Sequence, residues 1–184
     1  MLWDGRVSRM YFACSFGEGR QSVCTASAYK RLNLMHLNLG GLLKYSKNIT
    51  LFLVPHINSY KRFQLGTLMP TKVAGSQDNR TVGFGLCGEG SDAVRVKCRI
   101  CGADLNPYIA FVALVAAGLA GIDANWYRRP DCRRRLSGCE LPEIPKTLRD
   151  SSDISSNSTG AGRGVGERGR RSLRARRPMG AVRI

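Results

Sequence analysis

The sequence predicts an α+β fold in which a small antiparallel sheet is backed by helices and followed by a basic, disordered tail. Three observations carry that prediction. Residues 81–87 and 94–101 are β-prone runs, and Gly88-Glu89-Gly90-Ser91-Asp92 between them is a string of turn formers that makes the pair a hairpin. Asn106 and Pro107 open an apolar run over residues 108–119 with a capping side chain and a proline suited to a first helical turn. Beyond residue 150 the chain turns to serine, then to arginine and glycine, a composition too polar and charged to form a core.

Taken in order, residues 1–30 have weak periodicity and form a poorly defined N-terminal segment. From residue 29 to 45, Leu32, Leu34, Met35, Leu37, Leu39, Leu42 and Leu43 approximate an amphipathic helix, which Gly40 and Gly41 interrupt. Residues 49–54 read as a buried strand stopped by Pro55. The hairpin and the helix from Asn106 follow, completing a foldable body over residues 31–126. That last helix is apolar nearly all round, so it is expected to be buried on every side, in a large core or against other subunits. Residues 127–150 are an irregular basic segment, and residues 151–184 are the disordered Arg/Gly/Ser-rich tail.

Charge divides the chain in the same way. The net charge is +16; residues 1–127 hold 14 Lys/Arg against 7 Asp/Glu, and residues 128–184 hold 15 against 6. A tail of that kind is ordinarily a solvated segment, and its alternative role is to meet anions, nucleic acid included. Asp4, Arg6 and Arg9 break any leader-like apolar stretch at the start. The longest apolar run, residues 108–122, falls short of the ~20 residues that a membrane helix needs. Both observations point away from the membrane and to the cytoplasm, where the seven cysteines would be reduced thiols.

Basic residues recur at defined places. Asn58-Ser59-Tyr60-Lys61-Arg62 is the first motif and Asn79-Arg80-Thr81 the second. The third is Arg95-Val96-Lys97-Cys98-Arg99, followed by Gly102-Ala103-Asp104-Leu105-Asn106-Pro107-Tyr108. Side chains alternate along a strand, so Val96, Cys98 and Ile100 are expected to face the core while Arg95, Lys97 and Arg99 line the other surface. A row of guanidinium groups suits carboxylates and phosphates, which arginine grips with paired donors.

The three motifs in this order resemble the end of the glutamine synthetase catalytic domain, including its relatives that join glutamate to amines. The resemblance runs from about Leu42 to Asp123, and the segment from Glu143 to Asp150 is similar to a later part of the same family. It implies a partial catalytic domain of that type. It also implies ATP-dependent ligation of ammonia or an amine to the γ-carboxylate of glutamate through γ-glutamyl phosphate, with Mg²⁺ or Mn²⁺ as cofactor. By resemblance, Arg62 and Arg99 hold the glutamate substrate, and Arg80 and Arg95 contact the nucleotide phosphates. The family's large rings imply a homo-oligomer, or association with full-length family members.

The sequence departs from the family at the chemistry itself. Lys97 stands where the family has a metal-binding glutamate, and an ammonium supplies no carboxylate oxygen to a divalent ion. Gly85 stands where the family has an arginine facing ATP, and Leu68 lacks the acidic residue of ammonia-using members. Asp4 and Glu18 are the only acids before Tyr29, so no carboxylate cluster precedes the motifs. The expectation is therefore a truncated or frame-shifted, catalytically deficient chain with no metal centre. Two alternatives compete. One is non-specific nucleic-acid binding through the Arg-rich tail. The other is a zinc site on Cys98, Cys101, Cys132 and Cys139, disfavoured because a regular strand would put Cys98 and Cys101 on opposite faces. His36 and His56, each alone in an apolar setting, read as packing residues.

Overall fold

A computed structural model describes residues 12–14, 17–18, 21–22, 28–63, 70–77, 82–88, 94–126 and 141–157. In chain order the elements are β1 (Phe12–Cys14), β2 (Gly17–Glu18), β3 (Gln21–Ser22), α1 (Ala28–Leu53), α2 (Ile57–Tyr60), β4 (Gly75–Gln77), β5 (Phe84–Cys87), β6 (Arg95–Cys98), α3 (Pro107–Asp123) and α4 (Leu148–Ser156). The fold is α+β. No helix among the described residues is long and apolar enough to cross a membrane.

The expected hairpin is present: β5 and β6 pair antiparallel, with Phe84 opposite Cys98, Gly85 opposite Lys97, Leu86 opposite Val96 and Cys87 opposite Arg95. β6 also pairs antiparallel with β1, whereas β4 lies parallel to β5, giving the order β1-β6-β5-β4. The sheet is thus mixed rather than wholly antiparallel. The sequence holds no signal for that edge, because Gly75-Ser76-Gln77 has neither β-branched residues nor alternation.

Residues 49–54, expected as a strand, instead extend α1 to Leu53. A short apolar run suits either element; residues 49–54 are all buried, so burial does not discriminate, and the helical hydrogen bonding continues instead, with Val54 N donating to the Thr50 carbonyl at 2.8 Å. The helix also satisfies its own hydroxyls, since Thr50 Oγ1 donates to the Ser46 carbonyl at 2.7 Å and Ser46 Oγ to the Leu43 carbonyl at 2.8 Å. Pro55 ends the segment as expected. Gly40 and Gly41 do not break α1; Gly41 lets α3 approach, and Gly40 makes room for the Trp126 main chain just past its end. A Cβ on Gly41 would strike the Ala117 carbonyl oxygen and lie 2.7 Å from Gly121 Cα. The ~1 kcal/mol helix penalty of Gly41 is offset by that close crossing.

α3 begins as predicted, with the Asn106 side chain accepting from the amides of Tyr108 and Ile109 at 3.0 and 3.4 Å and Pro107 in the first turn. Its inner face buries Ala110, Ala113, Leu114, Ala117, Gly118 and Gly121. Within this chain α3 is buried on one face only, so of the two expected settings the large core is not observed. Tyr108 is 82% exposed, and Phe111, Val112, Val115 and Leu119 continue the same outward stripe. Small residues fill the inner face because α1 crosses so closely, which leaves the large ones outside.

Disorder is expected from about residue 151, yet α4 covers Leu148–Ser156. Thr147 caps it, accepting from the Asp150 amide at 3.1 Å, and Ser151, Ser152 and Ser155 form its buried face. Small hydroxyl residues at helical spacing pack against α1 without the apolar signature that marks a core helix. Ahead of α4, residues 142–144 lie against 71–73: Val73 N donates to the Pro142 carbonyl at 2.7 Å and Ile144 N to the Thr71 carbonyl at 2.9 Å. The remainder of the expected tail, residues 158–184, and most of the basic segment, residues 127–140, fall outside the described residues.

Candidate functional site

The alternation read from the third motif holds. Val94, Val96, Cys98 and Ile100 are buried, Arg95 is exposed, and Lys97 and Arg99 are half-buried on the opposite face. The Arg99 amide donates to the Gly83 carbonyl at 2.8 Å, so the ladder runs one step past β6 and fixes the Arg99 backbone to the sheet. At ~3.3 Å per residue, Arg95 and Arg99 are about 13 Å apart along the strand, with Lys97 midway. Gly85 opposite Lys97 contributes no side chain, so the middle of this face is set by the lysine alone on those two strands.

The first motif does something the sequence does not reveal: it clamps the turn that follows β6. Arg62 is 2% exposed. Its Nη1 donates to the Cys101 carbonyl at 2.7 Å and its Nη2 to the Ile100 carbonyl, and the guanidinium lies 5.0 Å from the centroid of the Phe63 ring. Ser59 Oγ donates to the Asp104 carboxylate three residues further along, and the Gly102 amide donates to the Leu53 carbonyl at 2.9 Å. The chain leaving β6 is therefore held at Ile100, Cys101, Gly102 and Asp104 by the end of α1 and by the first motif. Arg62 meets the main chain one residue past Arg99, with both Nη groups engaged by carbonyl oxygen. In this conformation it positions the segment that carries Arg99.

Tyr60 of the same motif is buried against the start of α4. Burial pushes its hydroxyl up to about 12, with the nearby Ser151 hydroxyl and the Arg62 charge opposing that shift. A cleft of about 470 Å³ opens beside it, lined by Ile57, Lys61, Phe63 and the 146–148 segment. At its rim Lys146 pairs with Glu143 at 2.6 Å, and this pairing holds the Glu143 carboxyl below its usual range. Arg80 and Leu68 lie outside the described residues.

Two further expectations change. Cys98 and Cys101 are not on opposite faces: β6 ends at Cys98, the chain turns, and both sulfurs are buried 3.6 Å apart. His36 is buried as expected, but His56, at the start of α2, is exposed. Among the described residues no three His, Cys, Asp or Glu side chains converge as a metal site would require. With Lys97 in the middle of the basic face, the described residues do not fit a divalent metal.

The family described as glutamine synthetase, catalytic domain, matches residues 8–160. The chain is similar to a gamma-glutamylethanolamide synthetase of Streptomyces coelicolor, 34% identical over 156 residues, covering 85% of this chain and 33% of that protein. It is also similar to a gamma-glutamylputrescine synthetase of Escherichia coli, 37% identical over 119 residues, covering 64% of this chain and 25% of that protein. A glutamine synthetase of Rhizobium leguminosarum is 41% identical over 85 residues, 46% of this chain and 18% of that protein. The chain thus spans a third or less of the length of these relatives. The match takes in β1, which pairs with β6, and α4, both outside the stretch over which the motifs carry the resemblance.

Proposed function

The chain belongs to the glutamine synthetase family, and on that premise we propose that it supplies the anion-gripping portion of a glutamate–amine ligase site. The single observation that carries this reading is the outer face of β6, where Arg95, Lys97 and Arg99 present three cations at alternate positions. Arg99, whose backbone is tied to the sheet at Gly83 and whose following turn is clamped by Arg62 and Ser59, grips the carboxylate of glutamate. Arg95, exposed at the other end of the strand, meets the phosphates of ATP. Preorganised donors of this kind stabilise charge as it develops during phosphoryl transfer. ATP would supply the phosphoryl group that activates the γ-carboxylate toward ammonia or a primary amine. The two amine-ligating relatives support an amine as acceptor.

By itself the chain is expected to bind and not to turn over. The lysine at position 97 repels a divalent cation where it would have to neutralise the transferring phosphoryl group, and the described acids do not replace the missing carboxylate. The test is product formation from labelled glutamate, ATP and Mg²⁺ with ammonia, ethanolamine or putrescine, for the purified chain alone and mixed with a full-length relative. No γ-glutamyl amide from the chain alone is expected; turnover above that of a Lys97→Ala variant would overturn the reading.

A further inference from the structure

Cys98 and Cys101 have no part in that function, yet they are the most unusual pair of nucleophiles in the described structure. They are 2% and 0% exposed, and the Cys101 thiol donates to Cys98 Sγ across 3.6 Å. A disulfide needs the two sulfurs at ~2.05 Å, so closure requires about 1.5 Å of approach, within the reach of side-chain rotation where a strand gives way to a turn. The segment just beyond is at the surface: Ala103 and Asp104 are exposed two and three residues after Cys101.

We infer that Cys98 and Cys101 form a dithiol that hydrogen peroxide or a similarly small hydroperoxide oxidises to a disulfide, and that this closure loosens the grip of Arg99 on its ligand. The hydrogen bond between the sulfurs, donated by Cys101 and accepted by Cys98, makes Cys98 the attacking sulfur. Burial raises the Cys98 thiol, but hydrogen bonds from Cys101 Sγ and from the backbone at Ile100 and Cys101, with the Arg62 charge nearby, outweigh it and lower Cys98 overall. The hydrogen bond to Cys98, together with burial, holds Cys101 well above the ordinary thiol range. The Cys98 thiolate attacks one peroxide oxygen; the S–O bond forms, the O–O bond breaks, and hydroxide leaves to be protonated to water. Cys101 sulfur, losing its proton, then attacks Cys98 sulfur; the S–S bond forms and the S–O bond breaks, releasing a second water. Two thiols supply the two electrons that reduce the peroxide. The resulting ring encloses Arg99 and Ile100. It acts on the backbone whose carbonyls Arg62 holds and whose amide binds Gly83.

The consequence for binding rests on the ligand role proposed for Arg99; the disulfide does not. The test treats the full chain with hydrogen peroxide, quenches it, blocks remaining thiols under denaturing conditions and digests with trypsin. Cleavage after Lys97 and Arg99 separates the two cysteines into different peptides. The expected product is the Cys98-Arg99 dipeptide linked to the peptide beginning at Ile100, two hydrogens lighter than the unlinked pair and separated by dithiothreitol. Blocked thiols at both positions, or sulfinic and sulfonic acids without a link, overturn the proposal. A Cys101→Ser variant is expected to stop at a Cys98 sulfenic acid that dimedone traps, and if that variant does not fold the wild-type map decides. Binding of inorganic triphosphate or glutamate is expected to be lost on linking and restored by reductant. A link that forms while binding is unchanged removes the regulatory half of the inference. A reduced protein that binds neither ligand contradicts the proposed function and leaves the peptide map to decide the disulfide.

Discussion

Replacing Arg62 with methionine keeps most of the aliphatic stem and removes the guanidinium. The structure assigns that group two charge-assisted hydrogen bonds, to the carbonyls of Ile100 and Cys101, each worth about 1.5–3 kcal/mol. Both carbonyls belong to residues that are fully buried, so water cannot take the place of the missing donors. Summed, the range is about 3–6 kcal/mol, and because the two bonds share one group the expected loss is about 3–5 kcal/mol. That is roughly a fifth or more of the ~5–15 kcal/mol stability of an ordinary domain. Urea unfolding followed by circular dichroism reads it as a fall in midpoint at constant slope. Arg62→Lys, with one compact ammonium, is expected to recover about half of the loss, since it reaches one carbonyl and not both. Lys61→Met, next door and exposed, is expected to stay within about 0.5 kcal/mol of wild type. A ligand-gripping arginine at a solvent-facing site behaves otherwise, lowering affinity and leaving stability alone. A destabilisation of less than about 1 kcal/mol in Arg62→Met would therefore refute the clamp.

Other consequences are as direct. The Tyr60 hydroxyl titrates near 10 in the unfolded chain and at about 12 in the fold, so the native state holds its proton more tightly between those values. Stability contributed by the neutral phenol is complete below pH 10 and disappears as pH rises toward 12, by about 2–3 kcal/mol, and Tyr60→Phe is expected to remove that slope from a pH series of unfolding curves. Gly41→Ala raises intrinsic helix propensity, yet its methyl would meet the Ala117 carbonyl and Gly121. A net loss of about 1–3 kcal/mol in thermal unfolding is expected, and a gain would show that α1 and α3 do not cross closely.

The legible parts of this molecule are those in which one local signal suffices. The Asn106-Pro107 helix start, the antiparallel pairing of β5 with β6 and the period of two along β6 are each decided within a few residues, and each appears where the sequence places it. Where a second element has to arbitrate, the local signal fails. Residues 49–54 satisfy either a strand or the end of a helix, and because all of them are buried no local period separates the two; the continuation of α1 to Leu53 settles them. The serines of α4 look like a linker because burial by small polar side chains leaves no hydrophobic period to read. β4 has no propensity of its own and exists through β5.

The candidate site divides along the same line. The cationic face of β6 follows from alternation alone. The role of Arg62 does not, because nothing local distinguishes a guanidinium aimed at a ligand from one aimed at two carbonyls 38 and 39 residues away. The pairing of Ser59 with Asp104 is illegible for the same reason: their hydrogen bond spans 45 residues. The sulfur pair is misplaced by any reading that keeps β6 a regular strand through Cys101, since the strand ends at Cys98.

The central claim is that ligand anions are held by particular side chains of β6 and its following turn, not by a surplus of positive charge. Calorimetric titration of inorganic triphosphate into the metal-free protein separates these directly, comparing Arg95→Ala and Arg99→Ala with Arg149→Ala, an exposed arginine of α4. A charge-assisted hydrogen bond to the anion is worth about 1.5–3 kcal/mol, so the two β6 variants are expected to bind roughly tenfold or more weakly while Arg149→Ala binds like wild type. Equal weakening in all three would show that net charge attracts the anion and would contradict the account.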